Sequence, residues 1–131
     1  MNRFKLMIVF LILILFSTIN IAVIRPEFSG NSFILYTSSS TGVGDTYEIG
    51  KTSNHRVEIT FTGTITALKI RLNGGLAAEV LYPECTYTLD SEDIAAGKAA
   101  FTLSNSYVNF VQGEIVTLTG SGTVKIKYSK F

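Results

Sequence analysis

The side chains that could do chemistry are few and far apart. His55 is the only histidine and Cys85 the only cysteine. A nucleophile–base pair needs a base within hydrogen-bond reach of the nucleophile. His55 stands beside Asn54 in a polar stretch from Lys51, which reads as an exposed turn. A structural zinc needs several nitrogen or sulfur ligands, which one histidine and one cysteine do not supply. Asp90, Glu92 and Asp93 are close in sequence, whereas glycoside hydrolysis needs two carboxyl groups facing each other across a cleft. They suit a helix start, where the dipole favours negative charge. Hard cations also want clustered oxygens, but this spacing matches no EF-hand loop. The glycines at 42, 44, 74, 75, 120 and 122 join strands rather than open a helix, so they build no phosphate cradle. No catalytic, cofactor-binding or metal-binding residue is assigned, and the chain is read as a non-enzyme. Tyr36, Tyr47 and Tyr107 are expected at the surface. There, aromatic rings can stack on a sugar or anchor a protein partner.

Charge narrows the partners. The 131 residues carry a formal net charge of +1, and removing Arg3 and Lys5 leaves one net negative charge. Nucleic acid would require a concentrated basic face, which is missing. Lys125, Lys127 and Lys130 cluster near one end of the sequence, and Glu84, Asp90, Glu92 and Asp93 cluster midway. They read as two solvated faces, with head-to-tail attraction between copies as the sharper alternative. One cysteine excludes an internal disulfide. Cys85 is expected as a small core residue, the alternative being a bridge between chains.

The elements that must position these residues begin with Leu6 to Ile24. This apolar run is preceded by Arg3 and Lys5 and followed by Arg25-Pro26-Glu27. A helix across a hydrocarbon core needs about 20 apolar residues. A signal peptide needs a shorter apolar run and small residues before its cut. Ala22 could sit at such a cut, but Asn20 would then stand where a small apolar residue belongs. Residues 1–25 are therefore expected to be a signal peptide or a signal-anchor (transmembrane) helix, with the anchor preferred. Residues 26–31 form a linker, and residues 32–131 one β domain. On this expectation the domain is extracytoplasmic, either membrane-anchored with the N-terminus in the cytoplasm or secreted.

Beyond Pro26 the pattern is that of strands. Val57, Ile59 and Phe61 alternate with Glu58, Thr60 and Thr62, the mark of a half-buried strand. Leu68, Ile70 and Leu72 repeat it, as do Val124, Ile126 and Tyr128. Phe33 to Tyr36 is a compact apolar strand. Asn73-Gly74-Gly75 and Gly120-Ser121-Gly122 predict tight turns, because Asn and Gly accept positive φ at low cost. Pro83 marks a bend or a sheet edge. Asp90 to Gly97 predicts a single helical turn, acidic at its start and closed by glycine. Nine or ten strands follow from this reading. Parallel pairing needs long crossovers, and none is visible. The expected fold is all-β: an antiparallel two-sheet sandwich, jelly-roll or immunoglobulin-like, preceded by one N-terminal apolar helix.

The turn Gly42-Val43-Gly44-Asp45, the strand pair Val57 to Thr62 and Leu68 to Gly74, and the closing Leu118 to Val124 resemble small β-sandwich modules of phage and prophage structural proteins. In that family the central turn continues with Ser, an apolar residue, Asp-Gly and Trp. Here Gly75-Leu76-Ala77-Ala78 stands there, and the chain has no Trp. The resemblance implies a structural role in a virion.

Three functions follow. The first is a non-catalytic, exported or membrane-anchored module for surface assembly or adhesion. It would form oligomers or filaments when Phe33–Tyr36 completes a neighbour's sheet. The second is a virion structural protein, decorating or tail-associated. The third is a carbohydrate-binding module. The expected partners are a protein or a second copy, the membrane if Leu6–Ile24 is uncleaved, or a glycan. Nucleic acid and cofactors are not expected.

Overall fold

Two long strands make the frame. The computed structural model describes residues 23–24 and 31–131. In chain order its elements are β1 (Val23–Ile24), β2 (Ser32–Ser38), β3 (Gly42–Thr52), β4 (His55–Ala77), β5 (Val80–Thr88), α1 (Ser91–Ala96), β6 (Lys98–Leu103) and β7 (Val108–Lys130). β4 and β7 are 23 residues each and pair antiparallel from His55↔Lys130 to Gly75↔Phe110. Strands of this length do not stay flat. The ribbon bends in its middle, and its two halves close on one core. β2 and β3 pair with opposite halves of β7, and β6 and β5 with opposite halves of β4. Among the described residues the result is two layers of an all-β fold that share one bent ribbon, β2-β7-β4-β6 on one side and β1-β3-β7-β4-β5 on the other.

Glycine and two bulges make the bend. Gly63 lies opposite Gly122, and Ile65 opposite Gly120. Gly63 and Gly120 have φ of 94° and 105°, a region other L-residues avoid. A Cβ on Gly122 would collide with the carbonyl oxygen of Thr62. Next to the glycines, the register shifts between Ile65 and Ala67 and between Lys69 and Ile70. Thr66 is the extra residue in β4 and Val116 the extra residue in β7. Each bulge flips the side-chain parity of its own strand. The inward set therefore changes from Val57 and Ile59 to Leu68, Ile70 and Leu72 in β4. In β7 it changes from Val111 and Ile115 to Val124, Ile126 and Tyr128. The apolar pattern thus stays aimed at the core on both sides of the bend.

Short connections span the bend on either flank. Ser39 to Thr41 joins β2 to β3, and the Ser39 hydroxyl meets that of Thr123 at 3.1 Å. On the other flank α1 joins β5 to β6. The N–H of Phe61 donates to Gly97 O, and that of Leu89 to Leu68 O. Asp90 caps α1 by accepting from Glu92 N and Asp93 N, each at 2.9 Å. Asp93 returns the capping box, and Gly97 closes the helix at φ 70°. The expected helical turn is thus present.

Several expectations need correction. The glycine turns at 74–75 and 120–122 lie inside β4 and β7, so adjoining strands fuse, and seven strands stand among the described residues instead of nine or ten. The β4–β5 turn falls at Ala78-Glu79 instead. One pair is parallel, because Val23↔Thr46 and Ile24↔Tyr47 join β1 to β3. β2, which lies between them in sequence, sits in the other layer.

The expectation of an N-terminal apolar helix also falls. Its described end, Val23–Ile24, is strand, held by the main chain of β3. Among the described residues no helix is long and apolar enough to cross a membrane. The membrane-anchored, extracytoplasmic topology built on a helix ending at Ile24 is therefore withdrawn. The rest of residues 1–25 and residues 26–30 of the expected linker lie outside the described residues.

Candidate functional site

His55 is not a turn residue. It opens β4 on the same inward register as Val57 and Ile59, and only 1% of it is exposed. Its Nε2 lies 2.7 Å from the carbonyl oxygen of Ser106, which only accepts, so Nε2 carries the proton. Its Nδ1 lies 2.7 Å from the Tyr128 hydroxyl, which donates to it. Burial pushes the Tyr128 phenol up, well above its ordinary range, so that donor keeps its proton. Both imidazole nitrogens are committed. His55 is a structural residue, and its place two residues before Val57 was the signal for it.

The charged groups are likewise committed to the fold. Asp90 and Asp93 cap α1, and Asp93 also accepts from the Tyr87 hydroxyl at 2.9 Å. That hydrogen bond, then burial and the nearby carboxylates, pushes the Tyr87 phenol up. Lys127 pairs with Glu58 at 3.7 Å, and Lys130 donates to Ile49 O at 2.7 Å. Glu84 accepts from the Ser106 hydroxyl. Lys127, Lys130, Glu84, Asp90 and Asp93 are thus each engaged by a neighbour within the chain. Cys85 is half-buried on β5, and burial pushes its thiol up. Among the described residues no group of three or more His, Cys, Asp or Glu could hold a metal ion.

A second polar network crosses the outer face of the other layer. Asn73 is 7% exposed and donates to Glu114 Oε2 at 2.9 Å. Arg71 reaches the same carboxylate at 3.3 Å and Thr86 at 3.2 Å. Gln112 donates to Gly44 O at 3.1 Å. The network ties β3, β7, β4 and β5 together, and no buried side-chain polar atom is left unpartnered among the described residues. It is a cross-strand brace rather than a reactive site.

An apolar groove of about 320 Å³ lies at the β4–β5 end. Its floor is Gly74-Gly75, where a Cβ on Gly75 would strike the carbonyl oxygen of Val80. Leu76 and Val80 stand exposed beside it, with Tyr82 and Tyr107 at 63% and 64% exposure. Glu84 lies among its lining residues. Four large apolar side chains thus stand exposed around one groove. Tyr107 meets its expectation as a surface aromatic. Tyr36 and Tyr47 do not, since both pack against the core, and Tyr47 sits 4.8 Å from Phe33. Tyr82 was missed, because nothing local marks it apart from an inward-facing strand residue. Phe33–Tyr36 is also engaged. Phe33 and Leu35 are buried in their own core, and β2 is paired with β7, so this segment is not free to complete a neighbour's sheet.

No protein-family model matches the chain, and no curated protein matches it by sequence. Solved structures resemble it at low identity, with TM-scores below 0.5. The SPBc2 prophage-derived protein YomS is 15% identical at a TM-score of 0.48, over 74% of this chain and 89% of that one. PirA is 14% identical at 0.46, over 80% and 97%. The C-terminal CBM6 of LamC, a marine laminarinase from Zobellia galactanivorans, is 11% identical at 0.43, over 76% and 100%. The resemblance to prophage β modules read from the sequence thus has a weak structural counterpart. These likenesses concern the fold alone.

Proposed function

We propose that this chain is a non-catalytic β-sandwich module that acts in assembly by docking a protein partner in the Tyr82–Tyr107 groove. The observation that supports this reading is the exposed ring of Leu76, Val80, Tyr82 and Tyr107. The ionisable groups described above serve caps, pairs and buried hydrogen bonds. The four side chains of the patch stand exposed among the described residues. The sequence resemblance to phage structural modules points to the same class of role. Exposed tyrosines are frequent interface anchors, and truncating one costs about 2 kcal/mol of binding or more when it sits at the interface centre.

The test is a photo-crosslinking residue at position 82 in the native host, with one at exposed Thr66 as control. One discrete adduct at 82, lost when Tyr107→Ser is added, supports the reading. Equal, diffuse labelling at both positions would sink it.

A second reading, carbohydrate binding, is favoured by one observation: two exposed tyrosines flank a groove that also holds the Glu84 carboxylate. Sugars stack on aromatic faces and donate to carboxylates. A glycan array separates the two, because only this reading expects a signal that Tyr82→Ser and Tyr107→Ser each abolish.

A further inference from the structure

We infer that β6 is a self-association edge, and that a second copy of this chain pairs with it antiparallel about a twofold axis through Ala100. This surface is distinct from the tyrosine groove. The starting point is how the edges differ. β5 carries Pro83 and a register shift beside it. β2 is broken by a bulge between Ile34 and Tyr36. β3 has β1 seated on it. Proline, bulges and covering segments are the usual ways of blunting an edge. β6 reads Lys98-Ala-Ala-Phe-Thr-Leu103, pairs in unbroken register with β4, and has no pairing on its other side among the described residues.

The backbone of that edge can be assigned. Phe61 N–H donates to Gly97 O at 3.1 Å. Antiparallel bonds recur at every second residue. Ala99, Phe101 and Leu103 therefore turn their N–H and C=O groups toward β4. Lys98, Ala100 and Thr102 turn theirs outward. A twofold axis through Ala100 sets Ala100 opposite itself and Lys98 opposite Thr102 of the partner copy. This forms roughly six main-chain hydrogen bonds. It also sets Phe101 beside Ala99 of the partner copy, large against small, on the half-buried face. The one charge on the strand, Lys98, meets a threonine rather than its own image. The register is self-complementary, as a twofold interface requires. A single short edge buries less than the ~1,200 Å² of a stable interface, so the dimer is reversible.

Sedimentation equilibrium of the full chain up to about 1 mM should show a monomer–dimer equilibrium. Ala100→Lys places like charges directly opposite each other and should weaken the dimer at least tenfold, about 1.4 kcal/mol. Ala100→Pro removes an outward donor while leaving the β4 ladder intact, and should act alike. Both should melt as cooperatively as wild type. In a Cys85→Ser background, Ala100→Cys should cross-link to itself on oxidation, and Thr102→Cys, which faces Lys98, should not. This second test does not depend on the blocking variants folding. A wild-type chain that stays monomeric, a dimer indifferent to folded Ala100→Lys, or equal cross-linking at 100 and 102 would each overturn the inference.

Discussion

Two neighbouring places on this molecule treat polar and apolar groups in opposite ways. At Ser106 everything is closed. Its carbonyl accepts from His55, its hydroxyl reaches Glu84, and Tyr128 completes the cluster from the core. One residue further on, Tyr107 holds its ring in water beside Tyr82. The buried cluster contributes to stability because each group it desolvates regains a hydrogen bond. The tyrosine groove contributes nothing comparable, since an exposed ring has no burial to gain within the chain. A surface that the fold does not need is the better place to look for function. The contrast also accounts for the one histidine, whose two ring nitrogens are spent on this cluster.

The contrast can be broken from the buried side first. His55→Ala should be the most damaging change. It empties a core position and leaves the Tyr128 hydroxyl and Ser106 carbonyl without partners, a loss of about 3–5 kcal/mol. Urea denaturation should show a lower midpoint with an unchanged slope. Tyr128→Phe keeps the ring but orphans His55 Nδ1, and should cost about 1–3 kcal/mol in the same measurement.

The pH response sharpens the comparison. Burial raises the Tyr128 phenol above its unfolded value. Its contribution is therefore whole below the unfolded pKa of about 10 and is lost as pH rises beyond it, because the unfolded chain then releases the proton and the folded chain does not. Wild type should lose stability more steeply above about pH 10 than Tyr128→Phe does, as read by melting temperature across alkaline buffers.

The smallest effect is expected on the open side. Tyr82→Ser and Tyr107→Ser should each change stability by no more than about 0.5 kcal/mol. The same substitutions should abolish capture at the groove. A large loss of stability would mean that these rings support the fold, and the difference between the two places would disappear.

Much of the layout was legible in the sequence where local chemistry decides it. The cap of α1 follows from Asp90, Asp93 and Gly97, which act within a few residues of one another. The inward sets Val57–Ile59, Leu68–Ile70–Leu72 and Val124–Ile126–Tyr128 follow from period-two alternation. Pro83 falls on an edge strand, as its missing donor requires. Local rules misled where a glycine serves a distant partner. Asn73-Gly74-Gly75 and Gly120-Ser121-Gly122 carry turn chemistry, yet they sit within long strands, because the opposite backbone approaches too closely for a side chain. His55 was misplaced for a related reason: Asn54 beside it marks a turn, while Ser106 and Tyr128 lie 51 and 73 residues away.

By itself the sequence determined the strand-rich class, the faces of its strands, the capped helical turn and the poverty of reactive groups. These depend on residues a few positions apart, or on composition alone. Only the tertiary structure decided that neighbouring expected strands fuse into the two arms of one bent ribbon, that its bulges restore the inward register, and that Val23–Ile24 is strand. It alone decided that Tyr82 and Tyr107 line one open groove, and that β6 has no strand on its outer side among the described residues. Those outcomes depend on which main-chain groups find partners across the whole length of the chain, and no local pattern contains that information.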